Sequence, residues 1–491
     1  MITSLLKLQN HDLNKMKEPI SENELKNVFK ELLVLDNEII KKEFIIKEKD
    51  LMVWPLIRWE VLHYIRDKKL NLNIPQSGRT VLSLNSIGYL YKTIKYAPHR
   101  LDKKYNFIFY NISARGRLNN KNFNRYVDYY TSLHPKALVI DKSFNMDYYI
   151  PENKDNFATG EYGEVKAYLF YQIKRFISKK NSIIEKFIKF LKTKDIIGEY
   201  FAEKVIKKFL YYYYFGIDYH RSYVLNVFKK LEPKIIFVHN AALGGRNSVP
   251  LKIAKENGIV TGEFQHGVIS RSHMAYNYGD AIFKSETYKS YLPDFILTYG
   301  DYWNEQIRIP SKKITIGNPH FYEMIKKYNN IKEQKNSILI VSQQTMTEKF
   351  FKIAKYLSDG FKNYKILLKL HPEQKYFDEK YKEISKYSNI KVTNSGDIYE
   401  YIAKYENIVA CYSTTIFEAL GFNKKLFILD NAISREYIPQ NIGLRFKEND
   451  ELKELIISLE KQEKNYDLEY YFSSNWIKNY KSFLANYVGI R

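Results

Sequence analysis

One cysteine, Cys411, stands among 491 residues. It has no partner for an internal disulfide, which excludes a cross-linked extracellular scaffold and makes a reducing cytoplasm the expected setting. Long apolar runs are missing too: no window approaches the roughly 18 consecutive apolar residues of a membrane-spanning helix. The most apolar stretch, Phe209 to Ile217, is short and rich in tyrosine. The N-terminus lacks the apolar core of a secretory leader. Cys/His spacing suited to zinc is absent, as are an Asp-x-Asp between strands, a P-loop and a Gly-x-Gly-x-x-Gly fingerprint. No metal and no cofactor is expected. Acidic residues are the scarcer sign of charge, 55 Asp and Glu against 78 Lys and Arg, so the formal net charge is +23.

A charge of that size suits nucleic acid, anionic lipid or an anionic polymer, or reflects a Lys-rich composition alone. Aromatic residues do not interleave with Arg in a nucleic-acid motif, so nucleic acid is not expected as a partner. With 45% hydrophobic and 16% aromatic residues, the chain is globular and too long for one ordinary core.

Three regions follow from the pattern. Residues 1–100 read as an N-terminal helical region, polar and rich in Lys and Glu. Within it, Trp54 and Trp59 flank Pro55 as a helix start packed on a core; a functional role for Arg58 or Trp59 is the other reading. Residues 101–318 read as a first Rossmann-like domain, with a basic, amphipathic helical insertion at 160–216 suited either to an anionic surface or to plain solvation. Its strands are Tyr105 to Asn111, Ala137 to Asp141, Lys234 to His239, Ile259 to Phe264, Phe295 to Tyr299 and Ile314 to Ile316. Between the first two, Arg115, Arg117, Asn124, Arg125 and Asp128 form the lip of a cleft or solvated surface. Residues 319–491 read as a second Rossmann-like domain with terminal helices. Its strands are Ile338 to Ser342, Ile366 to Leu370, Ile390 to Thr393, Ile408 to Tyr412 and Leu426 to Leu429.

Candidate chemistry gathers at strand ends. His266, between Gln265 and Gly267, can take a proton near neutral pH, and the glycine admits a ligand to the backbone. Glu263, Asp141 and Asp280 are alternative bases, while Arg246 and Arg271 are candidate partners for an acceptor, together with Arg115. In the second half, Ser342 and Gln343 close one strand and His371 and Pro372 another. Ser413, Thr414 and Thr415 stand where a strand gives way to a helix; they serve as caps, as a phosphate site, or as both. Glu418 then either completes a capping box or accepts hydrogen bonds from a sugar diol.

In this order, Gln265-His266-Gly267, Gly317-Asn318-Pro319, His371-Pro372, and Ser413-Thr414-Thr415 with Glu418-Ala419-Leu420-Gly421 resemble the GT-B glycosyltransferases of bacterial surface polysaccharide synthesis. These include capsule-synthesis transferases and CDP-glycerol polymerases. The resemblance covers about residues 230–435. It implies an α/β GT-B fold, two Rossmann-like domains facing a cleft, with extra N-terminal helices. It implies that His371 neutralises or hydrogen-bonds the donor phosphate, that Ser413 and Thr414 bind it at the helix N-terminus and that Glu418 touches its ribose; Ser342 and Gln343, a polar rim suited to phosphate and ribose, and Pro372 and Thr415 are grouped with them as donor-binding. His266 is then the base or a donor contact. The families' acidic base has no clear counterpart here.

The expected activity is inverting, metal-independent transfer from a nucleotide sugar to a capsule or lipopolysaccharide glycan or glycolipid. It is expected in the cytoplasm, in peripheral contact with the inner face of the membrane. A CDP-glycerol or CDP-ribitol phosphotransferase and a non-catalytic protein binding an anionic polymer are the alternatives. A sugar-nucleotide 2-epimerase shares the two-domain build, but the long basic N-terminal half exceeds what that chemistry needs.

Overall fold

Two parallel sheets organise the chain in the computed structural model. The structure describes residues 20–70, 84–112, 116–118, 121–143, 146–148, 150–151, 154–177, 180–343, 346–371, 383–384, 386–459 and 466–490. The first sheet contains β1 Phe107–Ile112, β2 Ala137–Asp141, β3 Phe157–Thr159, β4 Ile235–Val238, β5 Val260–Phe264, β6 Phe295–Thr298 and β7 Lys312–Thr315. The second contains β8 Gln334–Val341, β9 Lys365–Lys369, β10 Ile390–Thr393, β11 Tyr405–Ala410, β12 Lys425–Leu429 and β13 Leu444–Phe446. Their orders are β7-β6-β5-β4-β1-β2-β3 and β10-β9-β8-β11-β12-β13. Neighbours run parallel throughout both.

Each sheet thus begins at its centre, winds outward to one edge and returns to build the other half. Its order reverses between β1 and β4 and between β8 and β11, where a ligand crevice opens beyond the strand ends. The architecture is α/β, two parallel sheets each covered by helices, with extra helices at the N-terminus.

Burial on both faces explains the strand sequences, since parallel strands covered by helices need apolar residues on each side. Phe107, Phe109, Ile235 and Phe237 face one core, while Ile108, Tyr110, Ile236 and Val238 face the other, the alternation a pleated strand imposes. On the first of these faces Phe109 stacks on Phe237, with ring centroids 5.0 Å apart.

The helices used below are α1 Glu22–Lys42, α2 Arg58–Lys69, α3 Leu84–Lys95, α4 Tyr162–Ile177, α5 Ser182–Lys192, α6 Lys207–Leu231, α7 Ser248–Glu256, α8 Pro319–Tyr328, α9 Thr414–Ala419, α10 Ala432–Tyr437 and α11 Trp476–Tyr487. The N-terminal helices are not a separate body. Ser21 and Glu24 form a capping box that starts α1, satisfying two helix-end donors at once. From inside α1, Asp36 accepts bonds from Trp54 Nε1 at 2.7 Å and Arg58 Nε at 2.9 Å. The Arg58 guanidinium also donates to the carbonyls of Met274 and Asn277 and stacks 3.6 Å over the Tyr278 ring. Arg58 is therefore a structural tie to the first domain.

Two expected boundaries shift. The basic insertion is followed by one long helix, since α6 continues to Leu231 with Phe209, Leu210, Ile217, Val224, Val227 and Phe228 buried along it. It stops only where Glu232 adopts the left-handed conformation. The terminal helix α11, expected with the second domain, lies instead on the first sheet. Tyr480, Phe483 and Leu484 join the core of Phe109, Phe237 and Phe264. The returning strand of chain passes the linker at Gly317, which has a φ of +99° and where a Cβ would meet the Ser473 carbonyl at 2.3 Å. Only glycine fits there. Phe321 at the start of α8 stacks on Phe472 at 4.1 Å, so the two interdomain crossings pack against each other.

Candidate functional site

The cleft is built from the carboxyl ends of both sheets. At the end of β5 the chain turns through Gln265, whose side chain donates to the Gly267 carbonyl at 2.8 Å and accepts from the Tyr299 N–H at 2.9 Å. This bridge to the end of β6 fixes the loop and presents His266. The His266 Nδ1 is buried and has no hydrogen-bond partner. Desolvation, with help from the Arg125 charge, pulls its pKa down to about 4, so the ring is neutral at pH 7. Across 5.0 Å stands His239, which follows β4 and is held at about 3 by desolvation and then by His266 and Lys142.

The second domain contributes α9. Ser413 is its N-cap: the hydroxyl accepts from the Thr415 N–H at 3.2 Å and donates to the Thr415 hydroxyl at 3.1 Å. The capping reading of these hydroxyls is realised. One turn on, Glu418 accepts from the Tyr399 hydroxyl at 2.8 Å. Burial raises its pKa, opposed by Arg125 and by the Tyr399 bond. Arg125 reaches this carboxylate's field from the other domain, and its guanidinium donates to the Tyr126 hydroxyl at 2.6 Å. Desolvation works against its charge, but Tyr126 and Glu418 outweigh that and raise its pKa.

These groups share one cavity of about 610 Å³ of empty space, open in part to solvent. Arg125, Tyr126, Gln265, His266 and Gly267 line it from the first domain, Asn318 and His320 from the linker, and Tyr399, Thr414 and Glu418 from the second domain. His320 Nδ1 meets the Tyr129 hydroxyl at 3.1 Å. Desolvation and Arg125 hold its pKa near 3. A neutral base and a carboxylate with hydrogen-bonding groups therefore face one space from opposite domains.

A second set of polar groups lies at the ends of β8 and β9. The Ser342 hydroxyl is buried and unpartnered, and Gln343 Oε1 accepts from the Tyr412 N–H at 3.3 Å. His371 is exposed directly after β9. Two residues earlier Lys369 is buried, its ammonium donating to the carbonyls of Leu370 and Asn394 at 3.1 and 3.0 Å. Desolvation lowers its pKa. Among the described residues no carboxylate pairs with it.

Several expected residues lie elsewhere. Glu263 is fully buried beneath the site, accepting from the Ala242 N–H at 2.8 Å and the Tyr276 hydroxyl at 2.6 Å. Burial pushes its pKa up to about 7, and it does not line the cavity, because its strand position points it into the helical layer rather than past the strand end. Asp280 is exposed and paired with Arg308, far from the role of a base. Arg246 is engaged in a half-buried ion pair with Glu164 and does not line the cavity. Arg271 is exposed on the loop beyond His266; the next residue, Ser272, ties the domains together by donating its N–H to Glu436 at 2.9 Å. Asp141 is fully buried at the end of β2. Arg115 and Pro372 lie outside the described residues.

Lys369, Tyr399, His239 and His320 were not singled out from sequence. Lys369 carried a readable signal, an ammonium closing an otherwise apolar strand. His239 did not, standing beside His266 at the end of a neighbouring strand, and His320 and Tyr399 did not, since only the docking of two domains brings them to one space.

No family model and no curated protein matches the chain. Among solved structures it is similar to UDP-GlcNAc 2-epimerase from Methanocaldococcus jannaschii, at 12% identity over 55% of this chain and 81% of that one, with a TM-score of 0.37. It is similar to UDP-GlcNAc 2-epimerase from Neisseria meningitidis bound to UDP-GlcNAc, at 13% identity over 55% and 82%, with a TM-score of 0.38. The wall teichoic acid polymerase TagF matches at 13% identity over 83% and 98%, with a TM-score of 0.39. Likeness at this distance assigns neither activity nor substrate.

Proposed function

We propose that the protein is an inverting glycosyltransferase moving a sugar from a nucleotide donor to a surface glycan or glycolipid. The observation that carries this reading is the interdomain cavity with His266 on one wall and Thr414 and Glu418 on the other.

In the proposed reaction an acceptor hydroxyl attacks the anomeric carbon while the bond to the nucleotide phosphate breaks. His266, neutral at pH 7, takes the hydroxyl proton. Negative charge grows on the departing phosphate, and in this reading His371 and the N–H groups at the start of α9 would meet it. Glu418, steadied by Tyr399, accepts hydrogen bonds from the donor's ribose. The chemistry calls on no metal. The cleft excludes water when the domains close, which protects the donor from hydrolysis. Synthesis of a capsule or lipopolysaccharide glycan on the cytoplasmic face is the setting proposed for it.

The test is thermal stabilisation by CMP, CDP, UDP, GDP and dTDP, with His371→Ala alongside, followed by turnover of the matching nucleotide sugars. One nucleotide is expected to raise Tm, less so in the variant. Stabilisation by CDP with turnover of a CDP-alditol and no sugar donor would move the substrate to glycerol or ribitol phosphate. Absence of any stabilisation and turnover would favour a non-catalytic protein that binds an anionic polymer.

A further inference from the structure

Large apolar side chains are exposed unevenly. Of the 13 exposed large hydrophobic residues among the described ones, eight belong to α3 and α4. On α3 they are Ile87, Leu90, Tyr91 and Ile94, with Ile87 68% and Tyr91 60% exposed. Their spacing of three, four and seven residues puts them on one stripe of the helix. On α4 they are Leu169, Phe170, Ile173 and Phe176, the last two 63% and 76% exposed, and Leu169, Ile173 and Phe176 again repeat at helical spacing. Soluble surfaces rarely gather apolar groups in this way without a partner.

Among the described residues of the two helices the exposed charge has one sign. Lys95, Lys166, Lys174 and Arg175 are exposed on the same two helices, with Arg175 lying 4.5 Å over the Phe176 ring. α3 contains no acidic residue. The one acid of α4, Glu164, is withdrawn into its ion pair with Arg246. The nearby Asp147 is taken up by Lys92 at 2.6 Å. The helices are also joined where they matter: the Thr159 hydroxyl donates to the Thr93 carbonyl at 3.0 Å, and the Tyr148 hydroxyl bridges Thr93 and Glu161. This joint lies at the carboxyl end of β3, the end of the sheet on which the cleft opens.

We infer that α3 and α4 form a docking face for an anionic lipid surface, with the two apolar stripes entering the headgroup region and the flanking Lys and Arg side chains meeting lipid phosphates. An apolar stripe edged by cations and cleared of exposed acids has the chemistry of an interfacial helix. A protein partner would need an acidic rim around an apolar centre, whereas an anionic bilayer supplies both at once. The face rests on geometry independent of the catalytic reading. If that reading holds, it sets the cleft beside a lipid-borne acceptor.

The full chain is mixed with vesicles of phosphatidylcholine alone and of phosphatidylcholine with phosphatidylglycerol, and sedimented. Binding is expected only to the anionic vesicles and is expected to fall at high salt. Ile173→Glu with Phe176→Glu should abolish it, and Lys174→Glu should weaken it by roughly fivefold or more. These side chains are exposed, so an unchanged Tm certifies folding of each variant. Nucleotide stabilisation should also be unchanged, which separates failure of this inference from failure of the transferase reading. Equal sedimentation of wild type and the double variant would overturn it, as would no binding to either vesicle. A wild-type dimer by light scattering that the double variant dissolves, with vesicle binding intact, would assign the face to a second copy instead.

Discussion

The two sheets wind in the same order yet end differently. Around the first, several charged groups are taken up by internal pairing: Arg58 with Asp36, Arg246 with Glu164, Glu263 with Tyr276. What lines the cavity from that side includes neutral His266, with His239 beside it, and the charged Arg125. At the ends of the second sheet Thr414 lines the cavity while Ser342 and Lys369 are buried, and Asp430 is occupied by Arg435 and Arg445. Under the proposed function the first crevice removes a proton and the second receives negative charge.

If that division is right, the largest effect should come from His266→Ala. Its transfer rate should fall by about 10²–10⁴-fold, the usual worth of a general base, with nucleotide stabilisation retained; loss of nucleotide binding with it would instead make His266 a donor contact. Next, Arg58→Met tests whether the first crevice depends on its internal pairs. The substitution leaves Asp36 buried without its cation and should cost about 3–5 kcal/mol in denaturant unfolding. A loss below ~1 kcal/mol would show that the pair is dispensable.

Arg125→Gln addresses the field that crosses the cleft. Desolvation and then the Arg125 charge pull the His266 pKa down to about 4, so removing Arg125 should raise that pKa and move the acid limb of kcat/KM to higher pH. An unmoved limb would take His266 out of the base role. The smallest effect is expected from Glu263→Gln. A carboxyl whose folded pKa is raised to about 7 binds more protons folded than unfolded between its ordinary pKa and 7, so its contribution to stability is lost as pH rises through that window. The variant should therefore gain Tm relative to wild type at pH 8 and not at pH 4, read by calorimetry at both.

Strand positions in both halves were legible because buried parallel strands are written as unbroken apolar runs, as in Ile235–Val238 and Lys365–Lys369. The short edge strands β3 and β13, three residues each, were not, since so few residues carry no period. The polar ends of the strands were also legible: His266, Thr414 and Glu418 do meet in one cavity. Glu263, Asp280 and Arg246 were misplaced for a common reason. A charged residue near a strand end reads alike whether it opens into a cleft or is neutralised by a side chain distant in sequence, and the partners Tyr276, Arg308 and Glu164 have no fixed spacing from them.

Sequence alone determined the two-domain α/β plan, the apolar strands, the helix caps and the absence of cross-links. These depend on local period and on residue chemistry that acts within a few positions. Tertiary structure alone decided which charges survive unpaired, that α11 returns to the first sheet, and that Arg125 and Glu418 oppose each other across a cleft. Those outcomes depend on packing between segments hundreds of residues apart, where burial sets the cost of every unpaired charge.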